Sequence, residues 1–392
     1  MALNNIRKSY LARFLRDLNF FGAIMVPYFL DWLQVDYTMI FILQAWFVLW
    51  VVLLEIPTGV VADRFGRKIS LALGVLLLGA DYVMYGFTQS YVILFVAEFI
   101  GAVGITMVSG ADKALIYDSL IETGQTKDSK RYLARHDAAG TLGIVLSFPL
   151  GSLLAGSSAL SYPHSLTVPF LLSGASSFLA VFCYLTMKEP KRARPTENFV
   201  ELGISGINHL RRHKVLRSFA LNSIFISAVT FFMFWFYQAL LRSVSLPVAV
   251  FGFVGGGANA LAAVLLLNVK TIERLFGMRR ILFFSALIPG LLFVALGFFR
   301  SVPFVIVGVT LVIALKLLRA PILSDFMNKH IESANRATVL SSVSLLERVM
   351  IGILYPVVGF LADIRLGYAL ATLGILALAF TFATRIEEAN IA

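Results

Sequence analysis

Apolar residues run through this chain in blocks of about 20, separated by short polar breaks. Twelve blocks can be read, at about 10–33, 37–62, 69–88, 91–118, 133–158, 165–187, 215–241, 246–268, 276–299, 302–323, 338–362 and 366–385. At 1.5 Å per residue, about 20 helical residues cross the ~30 Å hydrocarbon core of a bilayer. Barrel strands read instead as alternating segments of about ten residues, which is not the pattern here. The pattern therefore predicts an all-α membrane protein with twelve transmembrane helices. Blocks four and five are the least clean, because Asp112, Lys113, His136 and Asp137 intrude.

Composition agrees. Of the 392 residues 59% are hydrophobic and 14% charged, against about 25% charged in a soluble domain. Such a chain cannot cover its own surface with polar groups. The single cysteine, Cys183, lies in an apolar block and cannot form an internal disulfide. Arg7, Lys8, Arg13 and Arg16 before the first block resemble the start of a signal peptide, but the block continues without a small-residue cleavage site. It reads as a retained first span.

The net charge of +11 changes the picture only through its distribution. With the N-terminus inside, 26 of the 33 Lys and Arg residues fall on the inner side and three (Arg242, Arg300, Arg365) on the outer. That asymmetry predicts cytoplasmic termini and a multi-pass protein of the inner cell membrane. The excess base is topological, so no nucleic-acid partner is implied. The longest polar stretch, 188–214, reads as a cytoplasmic linker between an N-terminal six-helix bundle (1–187) and a C-terminal one (215–392). Phe199, Leu202, Ile207 and Leu210 give part of it an amphipathic helical pattern, and an ordered solvated loop fits equally well.

The two halves repeat. "ADRFGRK" at 62–68 is echoed by "IERLFGMRR" at 272–280, "ALIYDSL" at 114–120 by "PILSDFM" at 321–327, and Pro149 by Pro356. The offsets are 210 (Arg64 to Arg274), 207 (Asp118 to Asp325) and 207. Near-constant offsets across six spans point to two pseudo-symmetric six-helix bundles, an arrangement that transporters use. In the turn after block two, Gly66 allows a tight reversal, Gly59 allows close helix packing, and Asp63 places a carboxylate at the membrane edge.

Here the chain resembles the major facilitator superfamily, whose signature in this turn is G-x-x-x-D-R-x-G-R-K. Gly59, Asp63, Arg64, Gly66, Arg67 and Lys68 fill every defined position. "LEIPTG" and "ALIYDSL" are similar to bacterial drug or metabolite efflux members. The resemblance implies a gating role: Asp63 contacts the inner end of span eleven, and the arginines tie the turn to neighbouring helices. Glu273, Arg274, Gly277, Arg279 and Arg280 form the corresponding echo. The family's Gly-Pro-x-x-Gly motif in span five is matched only loosely by Phe148, Pro149 and Gly151. Its arginine within span four is missing, with Lys113 alone nearby.

Charges inside spans cost several kcal/mol unless partnered, so each is a candidate. Asp81, Glu98 and Asp112 are proton-coupling candidates. On one continuous helix Glu98 and Asp112 share a face to within about 40°, with Lys113 placed to pair with Asp112. Asp17, Asn222, Gln238, Glu347 and Arg348 are candidates for a substrate cavity. Asp31 reads as interfacial, and Lys316 and Arg319 as snorkelling to the inner surface.

These readings predict a secondary active transporter working by alternating access. It exports a small organic or amphipathic molecule, with the proton gradient as energy source and no cofactor. The expected partners are that substrate and the lipid bilayer, and the expected state is a monomer. Uptake, or lysolipid flipping, is the alternative within transport. A membrane enzyme would need clustered metal ligands or paired carboxylates, and the chain has no C-x-x-C pair, no D-x-x-x-D and no phosphate-binding G-x-x-x-x-G-K-[ST] loop. A non-transporting sensor of the same fold is the remaining alternative.

Overall fold

The computed structural model describes residues 2–157, 160–190, 214–331 and 336–384. Most of the linker (191–213), including its amphipathic stretch, and the end of the chain from Arg385 lie outside the described residues. Among the described residues there is no strand, and eleven helices are long and apolar enough to cross a membrane. In chain order the longer helices are α1 (Ala2–Arg16), α2 (Tyr37–Phe65), α3 (Arg67–Phe87), α4 (Tyr91–Val108), α5 (Ala111–Glu122), α6 (Ser129–Ala155), α7 (Val168–Leu185), α8 (Lys214–Phe231), α9 (Met233–Ser243), α10 (Val248–Leu267), α11 (Val269–Phe276), α12 (Met278–Phe298), α13 (Val302–His330), α14 (Arg336–Ile364) and α15 (Leu366–Ala383). Ten of the twelve predicted blocks coincide with single long helices or with helix pairs that continue across a one-residue step.

The first and fourth blocks depart from the expectation. The first is not one helix: α1 ends at Arg16, and short turns follow at Phe20–Ala23, Met25–Pro27 and Tyr28–Trp32. Irregular backbone at membrane depth must find partners inside the protein. Here Ser173 Oγ accepts from Phe20 N–H at 3.0 Å. Small residues of α6 make room for the segment: a Cβ on Gly143 would lie 2.8 Å from the Phe14 carbonyl, and one on Gly151 would lie 1.8 Å from the Phe20 carbonyl. The fourth block breaks between α4 and α5, where Gly110 has φ +74°. Only glycine enters that region at low cost. Because of this break, Glu98 and Asp112 do not share a face of one helix.

The chain gathers into two compact units. One comprises Met1–Val35, Trp46–Thr196 and Pro247–Gly256; the other comprises Asp36–Ala45, Glu197–Leu246 and Gly257–Ala392. In the first unit α3 lies along α7, where a Cβ on Gly174 would come 3.2 Å from the Gly79 carbonyl. In the second unit α12 lies along α15, and a Cβ on Gly374 would come 2.7 Å from the Gly290 carbonyl. The duplication read from the offsets thus extends to helix packing. Aromatic clusters fill both cores: Phe170 stacks on Phe21 and Tyr85 in the first, and in the second Phe41 meets Phe232 and Phe236 edge-on and lies tilted against Tyr355. Large apolar side chains such as Leu53, Phe182, Ile353 and Ile375 remain exposed, as lipid-facing surfaces require.

Candidate functional site

The turn between α2 and α3 is built around Gly66, whose φ of +105° is the left-handed backbone a tight reversal needs. A Cβ there would also lie 2.9 Å from the carboxylate carbon of Glu189. That carboxylate accepts from Arg67 N–H (2.7 Å) and Lys68 N–H (2.8 Å), the first free donors of α3. An anion at a helix N-terminus satisfies orphan donors and the helix dipole together. Arg67 reaches α5, with Nη1 3.0 Å from Asp118 Oδ2. Asp63 is half-buried in the last turn of α2, and Arg64 is exposed, its guanidinium 5.8 Å from the Phe65 ring centroid. Lys68 is half-buried. Gly59 does not serve close packing, since nothing lies within 4 Å of a Cβ placed there.

The echo in the second half has the same backbone. α11 stops at Phe276, Gly277 takes φ +74°, and α12 starts at Met278. Glu273 and Arg274 lie on α11, and Arg279 and Arg280 in the first turn of α12.

In the first unit the structure assembles an ionic cluster. Asp112 Oδ2 accepts from Arg13 Nη1 (2.8 Å) and Arg16 Nη1 (3.0 Å), and its Oδ1 lies 2.7 Å from His136 Nε2. Asp17 pairs with Arg13 Nε (2.7 Å) and Arg16 Nε (2.9 Å). Asp112, Arg16 and His136 are buried. Lys113 does not pair with Asp112: the step at Gly110 turns it outward, where it meets Asp137 at 3.0 Å. Asp112 and Asp17 are therefore held by fixed cations. Reading Arg13 and Arg16 as topogenic charge missed this, and so did treating His136 as an interruption. Their spacing with Asp17 within one turn of α1 was the available signal.

Asp81 and Glu98 form a second acidic site with a different character. Both are buried. Gly101 on α4 leaves space for Asp81, whose Oδ2 would be 2.6 Å from a Cβ at that position. Asp81 Oδ1 has no hydrogen-bond partner among the described residues. The Tyr85 hydroxyl donates to Glu98, and the Tyr28 hydroxyl donates to the Tyr85 carbonyl at 2.6 Å. Asp81 makes no ion pair among the described residues. Asp31, at the other end of the unit, accepts from the Tyr162 hydroxyl.

In the second unit Arg319 is not at the surface. It is 2% exposed and donates to the Leu282 carbonyl, to Ser285 Oγ (2.9 Å) and to Asn222 Oδ1. Asn222 Nδ2 donates onward to Thr384 Oγ1 at 2.6 Å. Lys316 also stays inside, its ammonium 4.7 Å from the centroid of the Phe231 ring. A helix carbonyl, two polar side chains and a ring face stand where snorkelling was expected. Gln238 is fully buried on α9, and Glu347 and Arg348 are half-buried on α14. Asp363, not anticipated from sequence, accepts from Tyr37 N–H and Thr38 N–H (both 2.8 Å) at the start of α2.

The sequence model of the Major Facilitator Superfamily matches residues 10–355. The chain belongs to the major facilitator superfamily. A curated relative, Multidrug resistance protein 1 of Bacillus subtilis (strain 168), is 29% identical over 131 residues, 33% of this chain and 31% of that protein. The chain therefore matches about a third of that relative's length. Among solved structures, a point mutant of the nucleoside transporter NupG has a TM-score of 0.81 at 14% identity, covering 97% of this chain and 98% of that one. A D-xylose-proton symporter has a TM-score of 0.75 at 13% identity, covering 98% of each chain. A bacterial homolog to the human lysosomal transporter Spinster has a TM-score of 0.76 at 16% identity, covering 98% and 94%. These likenesses show the fold. Family and fold together make this superfamily member a multi-pass membrane transporter and not an enzyme.

Proposed function

We propose that this transporter exports a small organic or amphipathic molecule by alternating access, coupled to protons through Asp81 and Glu98. The observation that carries the reading is the pair itself: two buried carboxylates on facing helices, of which Asp81 makes no ion pair and has an oxygen that accepts no hydrogen bond among the described residues. Desolvation of a carboxylate favours its neutral form over the charged one. A change in hydration as the protein cycles then loads and releases a proton. Asp112 and Asp17 are weaker candidates for coupling, because fixed arginines hold them as ion pairs.

Export is supported by the partial match to a protein named for multidrug resistance. In the same reading both termini are cytoplasmic, the membrane is the inner cell membrane, and the working unit is a monomer. The turn at Asp63 to Lys68 gates the inner side. Gln238, Glu347 and Arg348 remain candidates to contact substrate.

The test is flux in proteoliposomes with an imposed pH gradient, using a panel of lipophilic cations and neutral metabolites. The expected result is transport that the gradient accelerates in the wild type and leaves unchanged in Asp81→Asn and Glu98→Gln. Equal wild-type flux with and without the gradient overturns the coupling.

A further inference from the structure

Two helices of the second unit carry opposite charges at mid-span that the fold leaves open. Lys316 lies on α13, 14 residues before its end at His330, and Glu347 lies on α14, 11 residues after its start at Arg336. At 1.5 Å per residue these are about 21 and 17 Å from helix ends that adjoin along the chain, so the two charges stand at similar depth. Both side chains are half-buried. Among the described residues neither makes a hydrogen bond or an ion pair, with the other or with any further group.

Both turn toward α8 and the interior it shares with α13 and α14. α8 packs against both helices, and the three enclose an apolar cluster with Ile224 of α8, Leu318 of α13 and Val343 of α14, against which Leu346 and Met350 also pack. Glu347 falls in the stripe of Val343, Leu346 and Met350, positions i, i+3, i+4 and i+7 of one helix face. Arg348, one residue on, is turned about 100° away. Lys316 points to α8, with its ammonium 4.7 Å from the Phe231 ring centroid. A ring face steadies a cation without supplying a counter-charge. Arg319, one turn along α13, shows the contrast: the fold gives it the Leu282 carbonyl, Ser285 and Asn222.

Charges at this depth are costly unless partnered, and buried charges are normally paired. A mutual ion pair is the plain structural solution, and the two side chains do not make it. Two open poles of opposite sign at one depth fit a ligand that carries both charges itself. Beside them Phe231 meets Phe234 and Tyr355, aromatic surface on which an apolar body can lie.

We propose that Lys316 and Glu347 are the two poles of a cargo site and that the cargo is a small zwitterion with an apolar or aromatic body. Its carboxylate meets the Lys316 ammonium, and its own ammonium meets the Glu347 carboxylate. The inference rests on the transport reading above and gives the substrate a charge pattern. Binding measures it, so it stands or falls apart from direction and proton coupling, which the flux assay measures.

The test uses full-length protein in a neutral detergent, with binding read by titration calorimetry and by melting temperature. The probes are phenylalanine and leucine, each with its acid-only analogue (3-phenylpropanoate, 4-methylpentanoate) and its amine-only analogue (2-phenylethylamine, 3-methylbutylamine). The expected result is saturable binding of an amino acid, about tenfold tighter than either of its analogues, as one charge-assisted bond would give. Lys316→Gln erases the advantage over the amine, and Glu347→Gln erases the advantage over the acid. Arg280→Gln, a control at a base in the first turn of α12, leaves both advantages intact. Equal binding of the amino acids and their analogues, or no binding of either amino acid, overturns the zwitterion assignment. Without ligand, each single variant is expected to melt at or above the wild type, because no bond is lost. Two single variants that both melt lower, with stability recovered in the double variant Lys316→Met, Glu347→Leu, would reveal a structural pair and overturn the site.

Discussion

Replacing Asp112 by Asn isolates the energetics of the ionic cluster. The substitution keeps the shape of the side chain and removes the charge that Arg13, Arg16 and His136 converge on. Two guanidinium groups are then left with Asp17 alone. Removing one partner of a buried pair costs about 3–5 kcal/mol, because the other charge stays buried and uncompensated. The two arms do not weigh equally. The Arg13 side chain is 25% exposed, so solvent screens its share, whereas Arg16 is 6% exposed and faces Asp112 at 8%. The Arg16 arm dominates, which puts the effect near the lower limit, about 3 kcal/mol. For a unit of 150–250 residues that is a fall in melting temperature of roughly 6–12 °C. Tryptophan fluorescence during a thermal ramp in detergent reads it. Combining Asp112→Asn with Arg16→Met removes both ends of the dominant arm, and the double variant is expected to recover part of the loss. A single variant that melts like the wild type, or a double variant that melts below it, would refute the reasoning.

Gly66→Ala is expected to destabilise by about 1–3 kcal/mol, through positive φ and the approach to Glu189; Gly59→Ala should be near neutral, and the two melting temperatures side by side check the contrast. Asp363→Asn keeps one acceptor but loses the charge at the start of α2, lowering stability by about 1 kcal/mol in the same melt. Asp63→Asn should slow transport while leaving expression near normal, and unchanged flux in proteoliposomes would remove the turn from the gating mechanism.

The fold was legible because its physical cause is local. Twenty apolar residues between polar breaks make a span wherever they occur, and the near-constant offsets exposed the duplication without any contact being known. The boundaries of α3, α7 and α15 follow from that pattern alone. The breaks were harder to see. Gly110 is one glycine among 29, and nothing in its neighbours distinguishes a left-handed step from a packing position. Once that step is in place, Asp112 turns toward α1 and Lys113 turns away. The face shared by Glu98 and Asp112 existed only on an unbroken helix.

The candidate site was legible where a residue type is costly by itself. Asp81 and Glu98 stand out because nothing in their own helices pairs them. Arg13, Arg16 and Glu189 did not stand out, because charge near the ends of apolar blocks is expected to be solvated. Their distant partners come from α5 and α3, and no local pattern encodes those meetings. Arg319 was missed for the same reason: its stem is long enough to snorkel, and only the inward-facing Leu282 carbonyl, Ser285 and Asn222 show that it does not.

The broken first segment has a consequence for how the protein is made. With Arg13, Arg16 and Asp17 in it, it is a poor candidate for unaided entry into lipid, at about 2.5–3.5 kcal/mol for each charge near a span centre. The groups that neutralise and accommodate it, Asp112, His136, Gly143 and Gly151, are about a hundred residues or more downstream. At 5–20 residues per second, roughly 5–20 s of synthesis separate the segment from its partners. The segment thus leaves the ribosome well before its partners and settles late, and it needs shelter at the translocon until α5 and α6 arrive.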